Sequence, residues 1–449
     1  MNALPLNGRV VIVDDQIEQA LPIMNELGKR GIAYTYYNGD MENLPEEGTH
    51  NDIRLLFLDI NLIDNAVHDI KQLYPKIYAV INRIIGKNSF PYVLVCWSRN
   101  EEEYDAIVRK LNDDFEKRKP ICSIQLNKSD FFSMTGKKTD DFDEKIESLF
   151  NDISSKIEKH VNFSNILKWE NHVHTATSGA LNECLSCIDS DWDKMANWIF
   201  TKWSIAYSGK NFDNLTQPEK LKSAFHTLNQ ILFESIEEEV SRNVSQNSEF
   251  ITDTNTNDDL LLNKFNEHLL FSYVETKPKE PGRVVITKED YSDFNESLCF
   301  AINRQAEVPE DIYKGCSNEK DKAKARDRFF KKEVRDKIRE SWDLFKLVIN
   351  PVCDFAQNKI KVSRTIPGIF INATFYKYIN KSSDAIFVSP KFYHSGKKSE
   401  YFFILDFRYF SSEKNDEGES STKLKQLVLA EVLSKLSRHI NRQGILFVE

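Results

Sequence analysis

Four short apolar runs, each ending in residues that can touch a metal ion or a phosphate, constrain this chain more than any other feature. Residues 9–13 lead into Asp14 and Asp15, residues 55–58 into Asp59, residues 92–97 into Ser98, and residues 122–127 into Lys128. Each run is short and partly β-branched, which reads as a buried strand. Residues 32–37 give a further strand, and Gly31 closes the helix before it. Helical patterns fill the intervals: 16–29 with Ala20, Leu21, Met24 and Leu27 on one face, then 62–85, 99–119 and 140–160. The polar stretch 38–51 leaves little room for a helix of its own. Strands separated by helices favour a parallel sheet, whose strands all end on one edge. Three acids, a hydroxyl and an amine converging there suit a divalent cation and a phosphoryl group.

The bulk properties narrow the setting. A chain of 449 residues with 41% hydrophobic content can hold two or three domains. Its formal charge of −9 argues against a protein that coats nucleic acid. No apolar run reaches spanning length and no basic-then-apolar leader precedes Val10, so no membrane partner is expected. Seven scattered cysteines fit reduced thiols in a cytoplasmic protein. With 15 glycines, the chain has no P-loop pattern and no internal repeat.

The ordered set Asp14, Asp15, Asp59, Ser98 and Lys128 makes the first 160 or so residues resemble the receiver domain of bacterial response regulators. The resemblance implies an α/β fold with a flavodoxin-like, doubly wound, five-stranded parallel sheet. It implies Mg²⁺ bound by Asp15 and Asp59 directly, by Asp14 partly through water, and by the backbone carbonyl of Asn61. Asp59 is the implied phosphoryl acceptor, with a histidine kinase as the implied partner. Lys128 is expected to pair with one phosphoryl oxygen and Ser98 to donate to another. The residue types suit the chemistry, because a carboxylate can attack phosphorus only if a hard cation offsets the repulsion between the anions.

The pattern also departs from the family. Ser129 follows Lys128 where the family has proline, and Gln125 stands where it has a switch aromatic. Phe131 and Phe132 lie just beyond, and Arg99 replaces a small residue after Ser98. Acceptance chemistry is therefore complete on paper, whereas the usual outward relay is not.

The rest of the chain is expected to form a helical connector or bundle over 161–275 and a mixed α+β domain over 276–449. The sheet or small barrel of that last domain is expected to use strands near 284–287, 345–349, 366–376, 385–388 and 400–410, followed by a helix over 423–440 and a final strand at 444–448. Trp192, Trp198, Phe200 and Trp203 read as bundle core. His172, His174, Cys184 and Cys187 could offer a zinc set, though a Cys-x-x-Cys pair on a helix equally suits packing. The charged helix 317–342 mixes signs, which fits a solvated face better than a nucleic-acid contact. Cys353 beside Asp354 reads as a buried thiol at a turn rather than a nucleophile.

The leading expectation is a phospho-acceptor protein of a two-component system that acts on a downstream effector or serves as a phosphate sink. Its architecture is similar to receiver-containing proteins of bacterial phage-defence systems. No enzyme activity beyond receiver self-phosphorylation and dephosphorylation is expected. The alternatives are a pseudo-receiver scaffold without phosphoryl chemistry, a C-terminal effector enzyme centred on Cys353 and Asp354, and a DNA-binding regulator.

Overall fold

A computed structural model of the chain describes residues 4, 5, 9–46, 52–63, 68–86, 91–98, 103–115, 118–133, 138–186, 191–245, 248–253, 255, 257–288, 292–413, 420 and 422–441. The chain divides into two compact units, one of residues 1–196 and 228–253, the other of residues 197–227 and 254–449.

The first unit is built on a parallel sheet of β1 (Val10–Val13), β2 (Tyr34–Tyr37), β3 (Leu55–Leu58), β4 (Val93–Ser98) and β5 (Cys122–Asn127), ordered β2-β1-β3-β4-β5. Every residue of β1, β3 and β4 is buried. That burial on both faces is why their sequences are continuously apolar rather than alternating. One face packs against α1 (Ile17–Lys29) and α4 (Phe142–Glu158), and the other against α2 (Ile70–Ile84) and α3 (Tyr104–Asp114). Helix α2 begins with a capping box between Asp69 and Gln72, which satisfies two otherwise orphaned backbone donors. Helix α1 buries Ala20, Ile23 and Leu27, while Leu21, expected on its inner face, is exposed. Ile23 takes that place because it lies three and four residues from the other two. Among the described residues between β2 and β3 there is no helix, as the polar composition of 38–51 implies.

Helix α5 (Val161–Leu185) joins this unit at the opposite edge of the sheet from the strand-end acids, through residues that precede β1 and β3. Glu170 pairs with Arg9 and with Arg54 (2.6 Å), the residues immediately before β1 and β3. Asn171 donates to the carbonyl of Leu4 at 3.0 Å. Helices α6 (Trp192–Ser208) and α7 (Gln217–Asn243) follow, and the first two boundaries between the units fall within them. Trp192 and Trp198 are each 54% exposed, so the expectation that they are bundle core is corrected. Helix α6 turns Ile199, Ser204 and Ser208 inward, which leaves those indoles outside.

The second unit begins its main run with α8 (Asp259–Leu270) and β6 (Phe271–Ser272), followed by β7 (Val284–Thr287), α9 (Ser292–Ala301), α10 (Glu319–Phe329), α11 (Lys337–Ser341), β8 (Asp343–Val348) and α12 (Val352–Ala356). It ends with β9 (Ser363–Asn372), β10 (Ile386–Val388), β11 (Phe392–His394), β12 (Ser399–Asp406), β13 (Ser411–Glu413), β14 (Lys423–Leu424) and α13 (Gln426–Ile440). The antiparallel sheet runs β10-β12-β9-β8-β7, with β11 also on β12 and β13 also on β9. Among the described residues it is an open sheet rather than a barrel, with apolar clusters on both faces. The charged stretch 319–341 changes to π-type turns over Phe330–Asp336, burying Phe330 and Val334, while its charges pair locally (Lys322 with Glu319 at 2.7 Å, Lys337 with Glu333 at 2.6 Å). The strand expected at 444–448 lies outside the described residues.

Glu267 of α8 is a buried acid with a full set of donors. It accepts from the Tyr273 hydroxyl at 2.6 Å, the Ser395 backbone N–H at 3.0 Å and the Ser395 hydroxyl at 2.6 Å. Burial pushes its carboxyl up, but the bonds from Ser395 and Tyr273 outweigh burial and hold it below the ordinary carboxylate range. A carboxylate depressed in the folded state contributes stability above its unfolded-state pKa, and that contribution is lost as pH falls through the folded-state value. Glu267→Gln is therefore expected to lower the urea midpoint at neutral pH, by about 2 kcal/mol of stability. The gap should narrow as pH is taken below about 4. A constant gap across that range would reject this account of the carboxylate.

Candidate functional site

The five strand-end residues meet at one edge of the parallel sheet. The β1–β3 register aligns Val13 with Leu58, so the next residues, Asp14 and Asp59, fall side by side. Backbone bonds fix both: Asp14 N–H donates to the Tyr37 carbonyl at 3.1 Å, and Asp59 N–H to the Val13 carbonyl at 2.8 Å. Ser98, the last residue of β4, is buried opposite Asn127, and Lys128 follows Asn127. Where the family has proline, the chain makes a tight 3₁₀ turn over Lys128–Asp130, and the Asn127 side chain accepts from the Ser129 N–H at 2.7 Å. Behind the turn, Phe131 and Phe132 pack against Trp97, with ring centroids 4.9 and 6.3 Å away. Gln125, in the switch position, is exposed.

Lys128 is almost wholly buried, and its ammonium donates to both Asp14 Oδ2 (2.7 Å) and Asp59 Oδ2. The other oxygens of these acids accept backbone donors, Asp14 Oδ1 from Gln16 N–H at 2.9 Å and Asp59 Oδ1 from Asn61 N–H at 3.0 Å. Burial holds the Asp14 carboxyl up to about 7 despite the lysine, and the nearby Asp59 pushes it the same way. Burial and then Asp59 also raise Asp15. One oxygen from each of Asp14, Asp15 and Asp59 lies within 4.8 Å of the others. Asp15 Oδ1 is buried without a hydrogen-bond partner.

This donor set fits a hard divalent cation. Carboxylate oxygens are the ligands Mg²⁺ prefers, one buried oxygen lacks a partner, and a single ammonium faces three acids. Asp14, Asp15 and Asp59 are the residues that would hold it. Tyr36, which the sequence reading did not single out, stands beside them. Its hydroxyl donates to the Asp14 carbonyl at 2.6 Å, and burial, then Asp14, push its phenol up to about 12. The signal was its place in the neighbouring strand, in register with Ile12.

The other candidates do not assemble. His172 and His174 lie two residues apart on α5 and so face opposite sides of the helix. His172 is buried 3.8 Å from Glu239, and Cys187 lies outside the described residues, as does Arg99. Among the described residues, the three aspartates are the sole potential metal cluster of acids, histidines and cysteines. Cys353, expected to be buried, is exposed on the short helix α12, where its Sγ lies 3.9 Å from Asp354 Oδ1. A five-residue surface helix is too short to cover the thiol. In the second unit a separate pocket of ≈ 180 Å³ is lined by aromatic rings including Phe271, Phe370 and Phe392, with His394 in its wall.

Comparison with known proteins gave no matching family model, no matching curated protein and no matching solved structure. Among the described residues, no helix is long and apolar enough to cross a membrane.

Proposed function

We propose that this protein is a phospho-acceptor of the two-component type, whose first unit takes a phosphoryl group from a histidine kinase onto Asp59. The strand order 2-1-3-4-5 is that of flavodoxin-like receivers, in which the site lies at the carboxyl ends of the strands. The observation that carries the reading is the buried Lys128 ammonium between Asp14 and Asp59, beside an Asp15 oxygen with no partner. In the transfer, an Asp59 oxygen forms the new bond to phosphorus as the bond from phosphorus to the donor nitrogen breaks. Lys128 then exchanges its contact with Asp59 for a phosphoryl oxygen, and Ser98 donates to another. Bound Mg²⁺ would supply charge neutralisation for the carboxylates and the incoming phosphoryl oxygens. The state of Asp59 would act on a downstream effector or drain the kinase as a phosphate sink.

Incubation with a small phospho-donor and Mg²⁺, read by intact mass, tests this directly. The wild-type chain is expected to gain one phosphoryl group and Asp59→Asn none. An unlabelled wild type, or equal labelling of the variant, would reject the proposal. An unlabelled wild type favours the second reading, a receiver-shaped scaffold, for which the exposed Gln125 in the switch position is the supporting observation.

A further inference from the structure

The peptide that joins Asp14 to Asp15 lies one step past the end of the sheet ladder. The β1–β2 register closes with Val13 opposite Tyr37, and the Asp14 N–H still reaches the Tyr37 carbonyl at 3.1 Å. Strand β2 ends there, and Gly39 takes a left-handed φ of 77°. The Asp14 carbonyl is met by a side chain instead: the Tyr36 hydroxyl donates to it at 2.6 Å. The body of that tyrosine is anchored. The register sets it level with Ile12, and its ring packs against the apolar cluster on that face of the sheet.

A peptide group is planar, so holding one carbonyl in place fixes the plane that ends at the next Cα. Here the next Cα belongs to Asp15. Three further bonds hold Asp14 itself, through its N–H, Oδ1 and Oδ2. Asp15 has less to hold it: its Oδ1 is buried without a partner, and Gln16, which opens α1, gives the helix start no side-chain bond. The Tyr36 bond therefore reaches Asp15 through the backbone.

We propose that Tyr36 is a positioning residue that sets the cation preference of the acidic site. By holding the Asp14 carbonyl, it fixes the peptide plane from which Asp15 springs, and so the place of one of the three carboxylates. This rests on the reading of Asp14, Asp15 and Asp59 as a divalent-cation site. Mg²⁺ demands near-octahedral geometry at about 2.0–2.1 Å, whereas Ca²⁺ accepts roughly six to eight oxygens at about 2.3–2.6 Å in flexible arrangements. With Asp15 held fast the site favours the smaller ion, and with Asp15 loosened it loses that advantage.

Calorimetric titration of the full chain with MgCl₂ and, separately, with CaCl₂ tests the proposal. Wild type is expected to bind Mg²⁺. Tyr36→Phe keeps the ring and removes the hydroxyl. It is expected to bind Mg²⁺ at least about 10-fold more weakly, the usual loss when a group behind a metal ligand is removed, and Ca²⁺ less than about 3-fold more weakly. Tyr34→Phe removes a hydroxyl from the same strand at the level of Val10, away from the acids, and is expected to change neither affinity. Emission of the buried Trp97 is expected to match wild type in both variants. A wild type that binds no Mg²⁺ would reject the cation reading, and the role of Tyr36 with it. If wild type binds Mg²⁺, three results would overturn the role of Tyr36 and leave the site standing: unchanged Mg²⁺ affinity in Tyr36→Phe, equal weakening of both ions, or an equal loss in Tyr34→Phe. Altered Trp97 emission in Tyr36→Phe would overturn it too, since the hydroxyl would then serve the fold rather than the site.

Discussion

Lys128→Ala is expected to destabilise the first unit by about 3–5 kcal/mol, because it strands two buried carboxylates without their counter-charge. The ammonium contacts both Asp14 and Asp59, and all three side chains are buried, so water screens the two acids poorly once it is gone. Lys128→Met separates charge from packing: it keeps the buried stem and loses the ammonium, and most of the loss should remain. Urea unfolding followed through the emission of buried Trp97 measures both variants. Added Mg²⁺ is expected to raise the midpoint of either variant more than that of wild type, because ligand binding to the folded state stabilises by mass action and the variants hold a larger excess of negative charge. An unchanged midpoint in Lys128→Ala, or equal cation responses, would show that the lysine is not the counter-charge of this site.

The second large effect is expected at Gly368, in the sheet of the other unit. Gly368 on β9 stands opposite Phe345 on β8, and the phenyl ring lies over it. A Cβ built on Gly368 would come within 2.3 Å of Phe345 Cζ and 2.6 Å of Cε1. The ring cannot retreat, because it stacks on Phe370 at 4.4 Å and meets Phe403 edge-on at 5.9 Å. Gly368→Ala should therefore cost about 3 kcal/mol, at the upper end for overpacking by one methyl. Phe345→Leu alone should cost about 1–2 kcal/mol through the void it leaves. In combination, the smaller side chain makes room for the methyl, and the two losses should add to less than their sum. Strict additivity in a denaturation cycle would mean that the ring and the glycine are not in contact.

The parts of this protein legible from sequence are those in which chemistry and periodicity coincide. Val10–Val13, Leu55–Leu58 and Val93–Ser98 are buried on both faces, so continuous apolar runs mark them, and the polar residues at their ends can only meet at one edge. Strands of three residues such as Phe392–His394 and Ser411–Glu413 exist through their partners β12 and β9, and too few residues alternate in them to leave a pattern. The orientation of α8 depends on Glu400, Ser395 and the Lys391 carbonyl, more than a hundred positions away, which no local pattern encodes. The same holds for Trp192 and Trp198, where the preference of indoles for the interior was overridden by which side of α6 found neighbours. At the acidic site the residue types were legible, but the double contact of Lys128 was not, because it depends on how Asn127 caps the 3₁₀ turn.

The clamp formed by Glu170 on Arg9 and Arg54 bears on how this protein can be divided. A fragment cut after α4, near residue 160, would carry all five strands and the four helices that flank them. It would lose the carboxylate that offsets two guanidiniums buried at the amino ends of β1 and β3, and the Asn171 amide that ties down Leu4. Two like charges would then face each other at the floor of the sheet. A piece that carries the acidic site with its sheet intact must therefore include Glu170 and Asn171, which makes α5 part of the domain's foundation rather than a tether leading away from it.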